Sequence, residues 1–174
     1  RQRARGPGRT CRRLKGPMPT DRPADGFDSH ALRHALGRFA TGVTIVTTVG
    51  ADGHPVGLTV NSFNSLSLDP PLVLWSLRRS SPSLAAFRAA PRFAVNVLAE
   101  SQIELSRSFA SKVAHKFVDG LWQRGDDGVP LLAGAAACFV CETASHHEAG
   151  DHELFIGRVL SLADSHEPPL LFQG

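Results

Sequence analysis

Three short stretches of this sequence concentrate groups able to bind a ligand or take part in a reaction. The first is Gly57-Leu58-Thr59-Val60-Asn61-Ser62-Phe63-Asn64-Ser65. Read as one strand, it alternates Gly57, Thr59, Asn61, Phe63 and Ser65 onto one face, with Leu58, Val60, Ser62 and Asn64 on the other. A solvent-facing strand side has this pattern. So does a surface of hydroxyl and amide groups, with backbone bared by Gly57, that meets a flat heteroaromatic ligand rich in donors and acceptors; an isoalloxazine ring would suit.

The second stretch, Ser76-Leu77-Arg78-Arg79-Ser80-Ser81-Pro82-Ser83, stands at the end of one predicted strand and the start of a helix. Backbone N–H groups at the helix start, two guanidinium groups and several hydroxyls make a phosphate site; an exposed basic turn with a serine cap would look the same. The third, Ser145-His146-His147-Glu148-Ala149-Gly150-Asp151-His152, holds three of the eight histidines. A metal reading through His146, His147 and His152 meets two objections: adjacent histidines point apart in an extended chain, and no further Cys or His completes a ligand spacing. A single imidazole, His152, at a strand start beside a pocket fits better, and no metal is expected.

No serine lies in a nucleophile-elbow sequence, and no paired acidic motif or dinucleotide or P-loop fingerprint occurs. A chemistry that needs no acid–base set is hydride transfer between two bound rings, where the cofactors carry the reactive atoms and the protein supplies orientation. If a nicotinamide is used, it is not held by a Rossmann domain.

The elements that position these stretches are mostly strands. A helix capped by Asp28 or Ser29 is predicted from Ala31, Leu32, Ala35, Leu36 and Phe39, ending at Gly42. A hairpin follows, Val43–Val49 and Pro55–Asn64, then a strand over Leu72–Leu77 and a short helix opened by Ser81-Pro82. Further strands are expected at Phe93–Leu98, Ala135–Thr143 and Glu153–Leu162, the last two joined by the polar stretch Ser145–His152, with a final one begun by Leu170 to Phe172. A helix from Ser101 towards Phe109 carries a capping-box spacing. Short links between many strands predict a mainly β fold with a few helices, an antiparallel barrel rather than a doubly wound sheet.

The 174 residues, 42% of them apolar, suit one domain with a sizeable core. The net charge of +3 is unevenly placed. Residues 1–22 carry eight basic side chains against Asp21, a net +7, which leaves −4 for the rest. An acidic body argues against nucleic-acid binding. The basic segment, residues 1–24, is expected to be a disordered tail, and Met18, the single methionine, is read as the initiator. The chain has no apolar run long enough for a membrane span and no signal-type block, so a cytoplasmic protein is expected. Cys138 and Cys141 fall on opposite faces of a predicted strand and are expected to pack rather than share a metal.

From about Leu32 onwards the chain resembles the flavin reductase family with the FMN-binding split barrel, the small components of two-component flavin monooxygenases. The resemblance runs through Gly37-Arg38-Phe39-Ala40-Thr41-Gly42-Val43-Thr44, Gly57 to Phe63, Ser65 to Val73 with Asp69-Pro70-Pro71, Phe93 to Leu98, Lys116-Phe117 and Gly150-Asp151-His152. It implies a homodimer of split barrels over residues 25–174 that binds FMN or FAD, oxidises NADH or NADPH and supplies reduced flavin to a separate oxygenase. It implies that Gly57, Thr59, Asn61 and Ser62 contact the flavin ring and ribityl chain, and that Ser76, Leu77, Arg78 and Ser83 lie on the phosphate side. Phe109 is implied to close over the flavin and His152 to be the catalytic residue that orients the nicotinamide. Family members continue past a Phe-x-Gly-Gly-x-Tyr-like segment, whereas this chain stops at Phe172-Gln173-Gly174, so truncation of the last strand is expected. The alternative reading is a non-catalytic flavin-binding module of the same fold.

Overall fold

The computed structural model describes residues 28–111, 113, 115–125 and 128–174; the expected disordered tail, residues 1–24, lies outside the described residues. Helix α1 (Ser29–Leu36) starts where the Asp28 carboxylate accepts from the backbone N–H groups of His30 and Ala31, so Asp28 rather than Ser29 is the cap. It ends at Gly37, five residues before the expected Gly42, because the chain must straighten into β1 (Thr41–Gly42) to pair with the C-terminal strand. None of its residues is buried in the single chain.

The strands that follow are β2 (Thr44–Val49), β3 (Pro55–Val60), β4 (Asn64–Leu68) and β5 (Pro71–Arg78). Helix α2 (Leu84–Ala89), β6 (Arg92–Val97), a 3-10 turn (Glu100–Gln102) and helix α3 (Ile103–Ala110) come next. Then come β7 (Trp122–Arg124), β8 (Pro130–Leu132), the long pair β9 (Ala137–Ala149) and β10 (His152–Asp164), and β11 (Leu171–Phe172). The expected capping box at Ser101 is not used; instead the Gln102 side chain accepts from the Ala99 backbone N–H.

Seven strands form one antiparallel sheet in the order β3-β2-β6-β9-β10-β5-β4. Its edge strands, β3 and β4, are consecutive in the chain, joined by residues 61–63 alone. Four residue steps reach at most about 14 Å, whereas a flat seven-stranded sheet would hold its edges roughly 29 Å apart. The sheet therefore curls until its edges approach. This overturns the single strand expected over Pro55–Asn64: the chain leaves β3 after Val60 to cross between edges, so the face alternation stops there.

Both faces of the curled sheet are packed. On one, Val46, Trp75, Phe93 and Phe155 gather around Phe87 of α2, with Trp75 stacked on Phe155 at 4.7 Å between ring centroids. On the other, Val43, Ile45 and Leu98 pack against Phe109 of α3 and Leu132 of β8. Burial on both faces explains why β2 reads Thr-Ile-Val-Thr-Thr-Val without polar alternation. Its threonines spend their hydroxyls on carbonyls: Thr44 on Val60, Thr47 on Pro130 and Thr48 on Arg92.

Cys141 lies in the first cluster and Cys138 beside the second, on opposite faces as expected. The polar stretch Ser145–His152 is not a loop. β9 runs through it to Ala149, and Gly150, at φ 61°, turns with Asp151 into β10, because a two-residue turn is enough to close a hairpin.

Candidate active site

At the meeting of the sheet edges lies a cavity of about 460 Å³. One wall is the end of β3 and the crossing that follows it: Leu58, Thr59, Val60, Asn61 and Ser62. The opposite wall is the end of β5 and its turn: Ser76, Leu77, Arg78, Ser80 and Ser81. Ala110, at the end of α3, and His152, first residue of β10, complete it.

Two of the expected ligand contacts spend their hydroxyls on the scaffold. Thr59 donates to the Ser106 carbonyl at 2.7 Å, which draws α3 onto β3 and brings Ala110 to the rim. The Ser62 hydroxyl accepts from the Ser76 N–H at 2.9 Å and donates to the Ser76 carbonyl at 3.2 Å. β4 pairs with β5 only as far as Asn64 opposite Leu74, so Ser62 continues that ladder by one step and holds the two walls together. The Asn61 amide, the Ser76 hydroxyl and the Arg78 guanidinium make no hydrogen bond with the described residues and are free to meet a ligand.

His152 faces Arg78 across the β10–β5 ladder. Its Nδ1 lies 2.7 Å from the Asp151 carboxylate, which the hydrogen bond and charge of His152 hold below the usual carboxylate range, with Arg78 adding a smaller effect. The Asp151 carbonyl accepts from the Arg79 N–H at 2.9 Å, so the hairpin turn and the β5 turn move as one piece.

Three expected contacts fall elsewhere. Gly57 is buried under aromatic rings: a Cβ there would meet Phe109 at 2.9 Å and Phe117 at 3.0 Å. Phe109 is itself 1% exposed and packed edge-on against Phe117 beside Trp122, because the apolar side of α3 turns inward; it does not line the cavity. Ser83 stands at the N-cap position of α2 without lining the cavity and makes no side-chain cap bond; its N–H donates to the Ser81 hydroxyl and the Leu84 N–H to the Ser81 carbonyl. Of that basic stretch, Ser76, Leu77, Arg78, Ser80 and Ser81 line the cavity.

Leu58, Val60 and Ala110 were not anticipated; Ala110 is invisible to local pattern because Thr59 and Ser106, 47 residues apart, bring it in. Nor do the three histidines converge. His146 reaches the buried Glu153, His147 bonds Ser145 and His152 bonds Asp151, and among the described residues no group of three potential ligands is gathered for a metal. No helix among the described residues is long and apolar enough to cross a membrane.

The chain is thus a mainly β protein whose curled antiparallel sheet carries a cavity that mixes apolar walls, uncommitted amide and hydroxyl groups, a guanidinium and an imidazole. The chain belongs to the family of the flavin reductase like domain, whose profile matches residues 36–174. It is 48% identical over 142 residues to a probable flavin reductase of Rhizobium meliloti, covering 82% of this chain and 46% of that protein. It is 47% identical over 149 residues to the FMN reductase (NADH) SmoA of Agrobacterium fabrum, covering 86% and 84%. The reductase subunit HsaB of a flavin-dependent monooxygenase from Rhodococcus jostii is 44% identical over 150 residues, covering 86% and 76%. Among solved structures, the NADH:FAD oxidoreductase of Streptomyces globisporus in complex with NAD and FAD fragments superposes with a TM-score of 0.78 at 39% identity, covering 84% of this chain and 88% of that one. The chain thus spans about half the length of the Rhizobium relative and most of the other three.

Proposed function

We propose that this chain is an NAD(P)H:flavin oxidoreductase that passes hydride from NADH or NADPH to FMN or FAD and releases reduced flavin to a separate flavin-dependent oxygenase. The observation that carries the reading is the convergence of Asn61, Arg78 and His152 on one cavity from three different strand ends. Relatives that are a flavin reductase with NADH and a monooxygenase reductase subunit support it.

The donor set fits a flavin. Asn61 and Ser76 offer uncommitted amide and hydroxyl groups to the polar edge of a ring, Leu58, Val60 and Ala110 its apolar flank, and Arg78 a charge for a phosphate. Thr59 and Ser62 act through the walls they hold. A bound flavin supplies the hydride-accepting ring; the protein's part is to hold it and to seat the donor, which is the role of His152, fixed by Asp151. The curled sheet is the split barrel of this reading. A homodimer belongs to it as well, since Leu32, Leu36 and Phe39 leave an apolar face uncovered on the single chain.

The test follows nicotinamide absorbance after mixing the protein with NADH or NADPH, with and without FMN, FAD or riboflavin. Saturable oxidation that requires flavin is the expected result and ranks the cofactors. Flavin binding without oxidation would leave a non-catalytic flavin module, and neither binding nor oxidation would overturn the assignment.

A further inference from the structure

β10 turns one acidic residue inward. Glu153 precedes Phe155 and Gly157 on the buried face, and its side chain is 0% exposed. An ionised carboxylate in a protein interior is strongly disfavoured unless paired and hydrogen-bonded. Here the pairing is dense. Arg88 Nε donates to both Glu153 oxygens, at 2.9 and 2.8 Å, its Nη2 makes a further short contact to Oε2, and His146 Nδ1 lies 2.6 Å from Oε1. Arg88 also reaches Glu148 on β9 at 3.4 Å, and Glu148 in turn meets Arg79 at 3.3 Å. These last two pairs are exposed and individually weak. Of the two carboxylates that Arg88 meets, Glu153 is the buried one.

Its position gives it a consequence beyond stability. Successive strand residues point to opposite faces, so Glu153 and His152 stand back to back: one is clamped inside while the other enters the cavity. Arg88 belongs to α2, the helix that follows the Arg78–Ser81 turn, so the clamp ties the helix behind one cavity wall to the strand that carries the imidazole. We propose that Glu153, clamped by Arg88, is a positioning residue that sets the His152 imidazole against the Arg78 wall and thereby governs affinity for the nicotinamide donor. The part concerning the donor rests on the reductase reading; the part concerning His152 does not.

The test uses the full chain with Glu153→Gln, which keeps the shape and removes the charge. Two readouts separate the parts. In flavin-free protein, the His152 ring cross-peaks, assigned with His152→Asn, are expected to shift and broaden. In steady state, the donor KM is expected to rise about tenfold with kcat and flavin Kd changed less than about threefold. Unmoved His152 cross-peaks would overturn the proposal whether or not the protein turns over. Moved cross-peaks in a protein that oxidises no nicotinamide would support the positioning and overturn the reductase reading. The double variant Arg88→Met/Glu153→Leu guards against a purely structural effect, since apolar replacement of an ion pair with a buried member commonly preserves the fold. Its Tm is expected near that of the wild type with the KM still raised; recovery of KM together with Tm would overturn the positioning role.

Discussion

His152 and Arg78 are direct partners across two antiparallel strands, β10 and β5, and both face the same cavity. A cation and an imidazole that share one rung of a ladder keep a fixed separation, so a ligand bound between them is held at two points whose spacing the backbone sets. This divides the labour between the two side chains.

Arg78→Ala is expected to weaken FMN binding roughly tenfold to a hundredfold, the equivalent of a charge-assisted hydrogen bond of about 1.5–3 kcal/mol, and to leave riboflavin, which has no phosphate, unaffected. His152→Ala is expected to give the opposite pattern, with flavin affinity kept and nicotinamide-dependent reduction lowered at least about tenfold. Fluorescence titration with each flavin, alongside steady-state rates, checks both. Equal loss of riboflavin and FMN affinity in Arg78→Ala would remove the phosphate role.

Gly57→Ala probes a residue that the pattern placed at the ligand and the structure places under Phe109 and Phe117. Phe109 is fully packed and has nowhere to retreat, so the added methyl overpacks the cluster. The expected cost is roughly 1–3 kcal/mol, a fall in Tm of about 3–10 °C. Flavin affinity of the folded fraction is expected to stay within about twofold. A Tm unchanged by the substitution would show that the rings yield.

The contrast between Gly57 and Asn61 shows what local pattern carries and what it does not. The strand was legible from Val56, Leu58 and Val60, and the hairpin from Asp52-Gly53. Alternation alone then extended the strand through Asn64, because nothing in residues 61–63 marks the point where a chain crosses between the edges of a curled sheet. That crossing is a property of the seven-strand order, set by long-range pairings such as those of β5 with β10 and β6 with β9. Arg78 and His152 were legible because turn chemistry put each at a strand end, where open α/β and β folds alike leave side chains free to form sites. Glu153 was missed although its signal is plain: an acid in phase with Phe155 and Gly157 is an acid aimed at the core.

Cys141 tests the two-sided burial of the sheet. Its thiol is 0% exposed and desolvation pushes its pKa up to about 12. At pH 8 roughly one molecule in ten thousand carries the thiolate. Iodoacetamide is therefore expected to leave Cys141 unmodified in the native protein over hours and to label it within minutes in guanidinium, as read by mass spectrometry of the peptide that contains it. Native labelling at the rate of the unfolded chain would contradict the packing around Phe93 and Phe155.

The Glu153 clamp also predicts how stability responds to acid. The hydrogen bond from Arg88, with smaller contributions from its charge and from His146, outweighs burial and holds the Glu153 carboxyl below its ordinary value of 4.5. As pH falls below that value, the unfolded chain takes up a proton there before the folded chain does, which favours unfolding. The contribution of Glu153 is thus complete above its unfolded pKa and is lost as the pH drops through the folded one. Other carboxylates add their own acid dependence, so the diagnostic quantity is the difference between the wild type and Glu153→Gln, which has no proton to take up. That difference is expected to be largest at pH 7 and to shrink from pH 5 towards pH 3, as followed by urea midpoints at each pH. A difference that stays constant across this range would mean that Glu153 carries no depressed pKa and that the clamp holds by packing alone.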